Sequence, residues 1–386
     1  MPRGGVHHVF LIPGFFGFSN LGDVHYFRAV GDALRRELDA RGEPVTLHGV
    51  RTFPTGSLKR RARRLLETIE TSGCLDDPRT RAVHFVGHST GGIEARLVAS
   101  STRDLGFDAV RAKLRGKLRT VVCVSSPHYG TPLANFFTTI YGKQLLYFVT
   151  LIVFVGLWRR PISAAAGVLG LGYRVADFIG LKETMMKQLT NQLLRDFTPE
   201  RQREVRDFLN SILEDVSLMI QLTPESMDVL NGSIEPLEGV RVVSYGTVAP
   251  PPLTTLLKRT KLRELLTPLG TVLYSTLWTL TAQVTSGCTY HPRTDAFEAK
   301  DLTTGRPLGF ELEPTSSDGV VPSLSQIHGE FRGFVKADHL DVVGHYLRGP
   351  LEKQDGADWL VSGANFSLDQ FNALWRDVCG VLVGDA

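Results

Sequence analysis

The stretch Val83 to Ala95, VHFVGHSTGGIEA, contains Gly87-His88-Ser89-Thr90-Gly91, a G-x-S-x-G pattern. It follows an apolar run that reads as a strand and opens a segment that reads as a helix. In that context Ser89 sits on a tight strand-to-helix turn. Glycines two residues to either side let strand and helix pass closely, so the hydroxyl stands exposed. A serine hydroxyl is a poor nucleophile at neutral pH. It needs a base within hydrogen-bond reach, and the base needs an acid that fixes its tautomer.

In this strand-turn-helix setting the order along the chain is Ser, acid, His. Downstream, SSDGVVP offers Asp318 in a Ser/Gly turn, and KADHLDVVGH offers His339. His345 is the rival base, in what reads as the following helix. Asp341 is the rival acid, although it lies too close to His339 in sequence to orient that ring. A tetrahedral intermediate also needs two donors aimed at its oxyanion. The backbone N–H of Thr90, next to the nucleophile, is one. The other is expected from the loop LIPGFFGFS, where Gly14 lets the chain turn and the N–H of Phe15 is the donor. Phe15, Phe16 and Phe18 would then line one wall of an apolar pocket.

These residues need a scaffold, and the pattern supplies one. Apolar runs at His7 to Gly14, Pro44 to Val50, Ala82 to Ser89 and Arg119 to Pro127 read as strands. Helical repeats separate them, as in HYFRAVGDALRRELDARG and SLKRRARRLLETIETSG. Apolar strands alternating with helices predict an α/β fold with a mostly parallel central sheet flanked by helices. From about Gly130 to Ser233 strand signals vanish. Thr198-Pro199 opens one helix, in which Val205, Phe208, Leu209, Ile212, Leu213 and Val216 share a face, and Thr223 opens another. Strand character returns at Gly239 to Thr247. Ala249 to Glu313 is mixed and carries no clear assignment. Ser367 with Gln370 forms a capping box for a last helix with Leu368, Phe371, Leu374, Trp375, Val378 and Leu382 on one face. The layout is a sheet core in two parts, 1–130 and 236–386, with a large helical cap or lid insertion at 131–235.

The insertion holds the most apolar stretch of the chain, Gln144 to Arg160. Its uncharged part, Leu145 to Trp158, is 14 residues long. As a helix it spans ~21 Å, short of the ~30 Å hydrocarbon core of a bilayer. Exposing five or six of its large apolar side chains to water would cost on the order of 10 kcal/mol. That suits a lid that covers Ser89 in water and opens against lipid, with Leu145, Phe148, Leu151, Phe154 and Trp158 as contact residues. A helix simply buried in the cap core is the plainer alternative.

Composition excludes little. Charged residues make up 22% and apolar residues 42%, and the formal net charge is +3, too small to imply nucleic acid. The basic runs KRRARR, RAKLRGKLR and KRTKLR read as solvated helix faces. The four cysteines are widely spaced and read as reduced thiols. With an apolar strand starting at once and no leader before it, the expected location is cytoplasmic or membrane-peripheral, or secreted if a leader has been removed.

The blocks HHVFLIPGFFG, VGHSTGG, VSSPHYGTPLA and SDGVVP…DHLDVVGH, in that order, resemble the bacterial triacylglycerol lipases of the α/β-hydrolase superfamily. The resemblance covers roughly residues 6–130 and 239–350. It implies Ser89, Asp318 and His339 as a catalytic triad and Phe15 and Thr90 as oxyanion donors. It implies hydrolysis of lipid or other acyl esters through an acyl-enzyme, with no organic cofactor and no nucleic-acid partner. The cap would make any transient contact with a membrane or lipid interface. Phospholipase, polyester depolymerase or acyltransferase chemistry on the same triad, and a membrane-binding protein without catalysis, are the alternatives. Several such lipases hold a structural calcium partly through an aspartate two residues after the base. Asp341 stands there, but His345 falls where an oxygen ligand is expected, so the metal stays an open question.

Overall fold

The computed structural model describes residues 4–15, 26–147, 191, 194–195, 198–252, 267–283, 300–346, 358 and 360–384. Phe16, Phe18, Phe148, Leu151, Phe154 and Trp158 lie outside the described residues, and so does the basic run KRTKLR. The lid expectation therefore rests on residues other than those described here, apart from Leu145.

Six strands form one sheet: β1 (Val6–Ile12), β2 (Val45–Gly49), β3 (Thr80–His88), β4 (Leu118–Val124), β5 (Arg241–Val248) and β6 (Glu330–Lys336). Their spatial order is β2-β1-β3-β4-β5-β6, and every pairing is parallel. Parallel strands need crossovers, and the helices that make them cover both faces. Along β1 the side chains alternate. Phe10 and Ile12 enter the core shared with α2 (Leu58–Ser72) and α3 (Thr90–Val98). Val9 and Leu11 enter the opposite core, shared with α1 (Arg28–Ala40) and the C-terminal helix. Burial on both faces explains why these strands read as continuous apolar runs rather than as alternating ones. The sheet and its helices make an α/β-hydrolase fold.

After α4 (Asp108–Lys117), the described residues of the region expected to be helical form helices joined by turns. It contains α5 (Pro132–Phe137), helical residues 140–147, α6 (Pro199–Glu214), α7 (Ser217–Gln221) and α8 (Pro224–Asn231). Thr223 caps α8, its hydroxyl accepting from the N–H of Ser226. The unassigned stretch after β5 contains α9 (Thr267–Thr281), an apolar helix that packs on α5. It looked ambiguous because its apolar residues are not confined to one stripe. No helix among the described residues is long and apolar enough to cross a membrane.

Three local expectations need correction. The last helix, α10 (Leu368–Val383), has the predicted capping box, but Leu368 is 54% exposed instead of facing the core. It stands at the first helical position. His345 does not lie in a helix, because the chain makes only a 3-10 turn at Asp341–Val343 and leaves it through Gly344 at φ 106°. Within KRRARR, Arg61 is fully buried, while Lys59, Arg60 and Arg63 are exposed. One basic position of that run faces inward, beside the buried Ala62, and its hydrogen-bond partners at the site explain why a charge is tolerated there.

The turn between β3 and α3 depends on contact between backbones. A Cβ on Gly87 would stand 2.4 Å from the Gly91 carbonyl carbon, and one on Gly91 would stand 2.1 Å from the Ile12 carbonyl oxygen. Neither neighbour is a flexible side chain that could move aside. Gly91→Ala should therefore destabilise the fold by about 2 kcal/mol or more, read as a lower denaturation midpoint at unchanged slope. An unshifted midpoint would mean that the backbones are not in contact.

Candidate active site

Ser89 caps α3 at φ 55°, ψ −128°, a strained conformation for a residue with a side chain. Its N–H donates to the carbonyl of Val124, at the end of β4, which holds the turn in place. The loop after β1 comes up against it. A Cβ on Gly14 would meet the Ser89 Cβ at 2.6 Å and its Oγ at 3.1 Å, so only glycine fits. Phe15, the next residue, therefore flanks Ser89, as does Thr90 on the other side.

His339 follows β6 and Asp318 returns to the end of β5. His339 Nδ1 lies 2.8 Å from Asp318 Oδ2, and the His339 N–H donates to the Asp318 carbonyl at 3.0 Å. Asp318 is fully buried, and donors hold both of its oxygens. The Val320 and Val321 N–H groups reach Oδ1, at 3.0 and 2.8 Å. The Thr247 hydroxyl and Gln326 amide reach Oδ2, at 2.7 and 3.1 Å. A carboxylate so surrounded is fixed in one orientation. It accepts a hydrogen bond from the Nδ1–H of His339 and so leaves Nε2 as the basic nitrogen.

Ser89 and His339 open onto one cavity with Phe15, Tyr26 and Thr90. The remaining lining is almost wholly apolar and includes Leu133, Phe137, Met219, Leu222 and Leu277. These come from α5, α7 and α9, so the helical region and the unassigned stretch both build its wall. Leu145 is buried in the adjoining core and does not line the cavity. His345 does not line it either, and the Asp341 carboxylate accepts from the N–H of Asp338 at 2.9 Å rather than from His339.

Sequence reasoning passed over two supports. The Tyr26 hydroxyl donates to His88 Nδ1 at 2.5 Å, and His88 Nε2 donates to the His339 carbonyl at 2.9 Å. Burial keeps His88 well below the usual histidine range, so it stays neutral and can bond both ways. It is the variable residue of G-x-S-x-G, and nothing in the motif marks it. The second support is Arg61. Its Nη2 donates to the carbonyls of Pro13 and Gly14 at 3.0 and 3.2 Å and approaches the Thr90 hydroxyl at 3.4 Å.

Asp338 and Asp341 flank His339 on its loop, and with Asp358 each places a carboxylate oxygen within 4.8 Å of the others. Burial, reinforced by the neighbouring carboxylates, pushes Asp338 and Asp341 well above the usual range. Hard oxygen donors and a surplus of buried negative charge fit a calcium ion. Bound there, it would neutralise the cluster and fasten the His339 loop.

Comparison with known proteins agrees with this architecture. No protein-family model matches the chain. A triacylglycerol lipase of Vibrio cholerae is 34% identical over 127 residues, 33% of this chain and 34% of that protein. The match thus spans about a third of the curated relative. Among solved structures, the Staphylococcus hyicus lipase has a TM-score of 0.50 at 14% identity, covering 99% of this chain and 96% of that one. Lipase 1 from Pelosinus fermentans has a TM-score of 0.50 at 16% identity, covering 96% and 98%. A metagenomic carboxyl esterase also has a TM-score of 0.50, at 15% identity, covering 100% and 77%. The chain therefore shares the α/β-hydrolase fold of bacterial lipases and esterases. Within that fold it resembles the triacylglycerol lipases in sequence over a limited stretch.

Two outcomes follow from the geometry. Ser89 should be labelled stoichiometrically by an alkyl phosphonate, and Asp318→Asn should slow labelling by ~10³–10⁴-fold, because an amide stabilises the wrong tautomer. Equal labelling rates would separate Asp318 from the reactivity of Ser89. For the aspartate cluster, a raised folded pKa gives stability that is present in acid and lost as pH rises through it. In chelator, the melting temperature should fall from pH 5 towards pH 8. Calcium should restore it in the native chain and not in Asp341→Asn.

Proposed function

We propose that the protein is a lipolytic carboxylester hydrolase working through an acyl-enzyme. The observation that carries this reading is the His339–Asp318 pair at 2.8 Å, facing the same apolar cavity as a strained Ser89. The partial likeness to a triacylglycerol lipase supports it.

Ser89 Oγ attacks the ester carbonyl carbon while His339 Nε2 accepts its proton. Asp318 stabilises the imidazolium and does not take the proton itself. The N–H groups of Phe15 and Thr90 hold the developing oxyanion, a contribution of order 3 kcal/mol for each such donor. Collapse of the intermediate expels the alcohol, which takes the proton from His339. Water then attacks the acyl-enzyme by the same path in reverse. The acyl chain lies in the cavity walled by Leu133, Phe137, Met219, Leu222 and Leu277. At about 25 cal/mol per Å² of buried apolar surface, each methylene placed there gains up to about 0.8 kcal/mol, which favours long acyl groups.

The test is turnover of p-nitrophenyl and glyceryl esters over a range of acyl lengths, with phospholipid and an alcohol acceptor included. Ser89→Ala should lose at least ~10³-fold in kcat. Undiminished turnover in that variant would falsify the reading.

A further inference from the structure

Arg61 is a fully buried cation whose neighbours are almost all neutral. Nη1 donates to the carbonyls of Phe53 and Pro54, and Nη2 to those of Pro13 and Gly14. One guanidinium thus ties the loop after β1, the loop before α2 and the turn at Thr90 to one another. Among the described residues its one charged partner is Glu94 on α3, with Nε to Oε1 at 2.5 Å and both side chains sealed from water. Among the described residues Glu94 Oε2 makes no hydrogen bond.

We propose that Glu94 is a positioning residue: its carboxylate locks Arg61, Arg61 holds the oxyanion loop against Ser89, and full activity requires Glu94 to be ionised. This deepens the proposed function and rests on it. Protonation of Glu94 leaves a buried guanidinium with no counter-charge, a costly state that relaxes by movement of the guanidinium or entry of water. Either change loosens the Pro13 and Gly14 carbonyls. The next N–H along the chain is that of Phe15, and displacement by a few tenths of an ångström is enough to weaken an oxyanion contact.

The ionisation falls in a working range. Burial pushes the Glu94 carboxyl up to about 7, against the pull of Arg61. The titratable groups facing it are Arg61 from α2 and the Tyr26 phenol ahead of α1. On β3 His88 is neutral, and on β4 the Cys123 thiol is raised to about 12, so neither changes charge with Glu94. Glu94 therefore adds an ionisation of its own to the acid limb.

The experiment is the pH profile of kcat and KM for the full chain and Glu94→Gln, with active sites first counted by phosphonate labelling of Ser89. At pH 8 the variant should lose ~10–100-fold in kcat, a partial loss of an oxyanion contact, with KM nearly unchanged. Below pH 6 the two enzymes should converge, because the native glutamate is then protonated. Their acid limbs should show two ionisations in the native chain and one in the variant. Glu94→Asp, which keeps the charge if Gln fails to fold, should retain both ionisations. A kcat equal to that of the native chain at pH 8, or a deficit constant across pH, overturns the proposal. If native Ser89 resists labelling, or Ser89→Ala keeps full turnover, the proposed function fails, and that failure is seen before Glu94 is tested.

Discussion

Three backbones meet at Ser89, and none of them has room to retreat. Gly91 stands against the Ile12 carbonyl, and Gly14 against the Ser89 side chain. The Ser89 N–H is tied to the end of β4. This contact depends on β1 lying directly between β2 and β3, with β4 on the far side of β3. The order of strands therefore sets where Ser89 can be. The ends of β1, β3, β5 and β6 all open on the same edge of the sheet, so the loops carrying Phe15, Ser89, Asp318 and His339 converge there.

Close packing fixes atoms, but it also buries polar groups that must be satisfied. Asp318 is met by backbone and side-chain donors, and His88 spans Tyr26 and the His339 carbonyl. Arg61 divides its donors among three pieces of chain, with Glu94 as its counter-charge. The strain at Ser89 persists because these bonds over-determine it. A buried ion pair adds little net stability and much positional definition when each donor has an acceptor, and Arg61 fits that description.

Much of this could be read from the chain. Runs such as VVCV and VFLI announce strands buried on both faces, and the glycines around Ser89 announce a tight turn. Ser89, Asp318 and His339 could be singled out as candidates because turn chemistry is local. The helical region was readable from Thr-Pro starts and apolar repeats. Three things were not. Arg61 sits in a run of basic residues; its spacing from Leu58 and Leu65 puts it on the buried face of α2, but its acceptors, the Pro13 and Gly14 carbonyls, lie far off in the chain. His88 is a variable position of its motif, so its bonds to Tyr26 and His339 leave no local trace. Helix α9 carries apolar residues on its exposed side as well, Val272 among them at 42%, so its sequence shows no single apolar stripe.

By itself the sequence determined the element types, the strained serine turn and the candidate reacting residues, because each follows from interactions within a few residues of chain. The tertiary structure decided which of those residues share a cavity, which cation is buried and which carboxylates crowd the loop of His339. Those outcomes depend on contacts between segments far apart in the chain, such as Arg61 with Glu94 and Asp318 with Thr247. Such contacts are set by how the sheet is ordered and closed, and no local pattern encodes them.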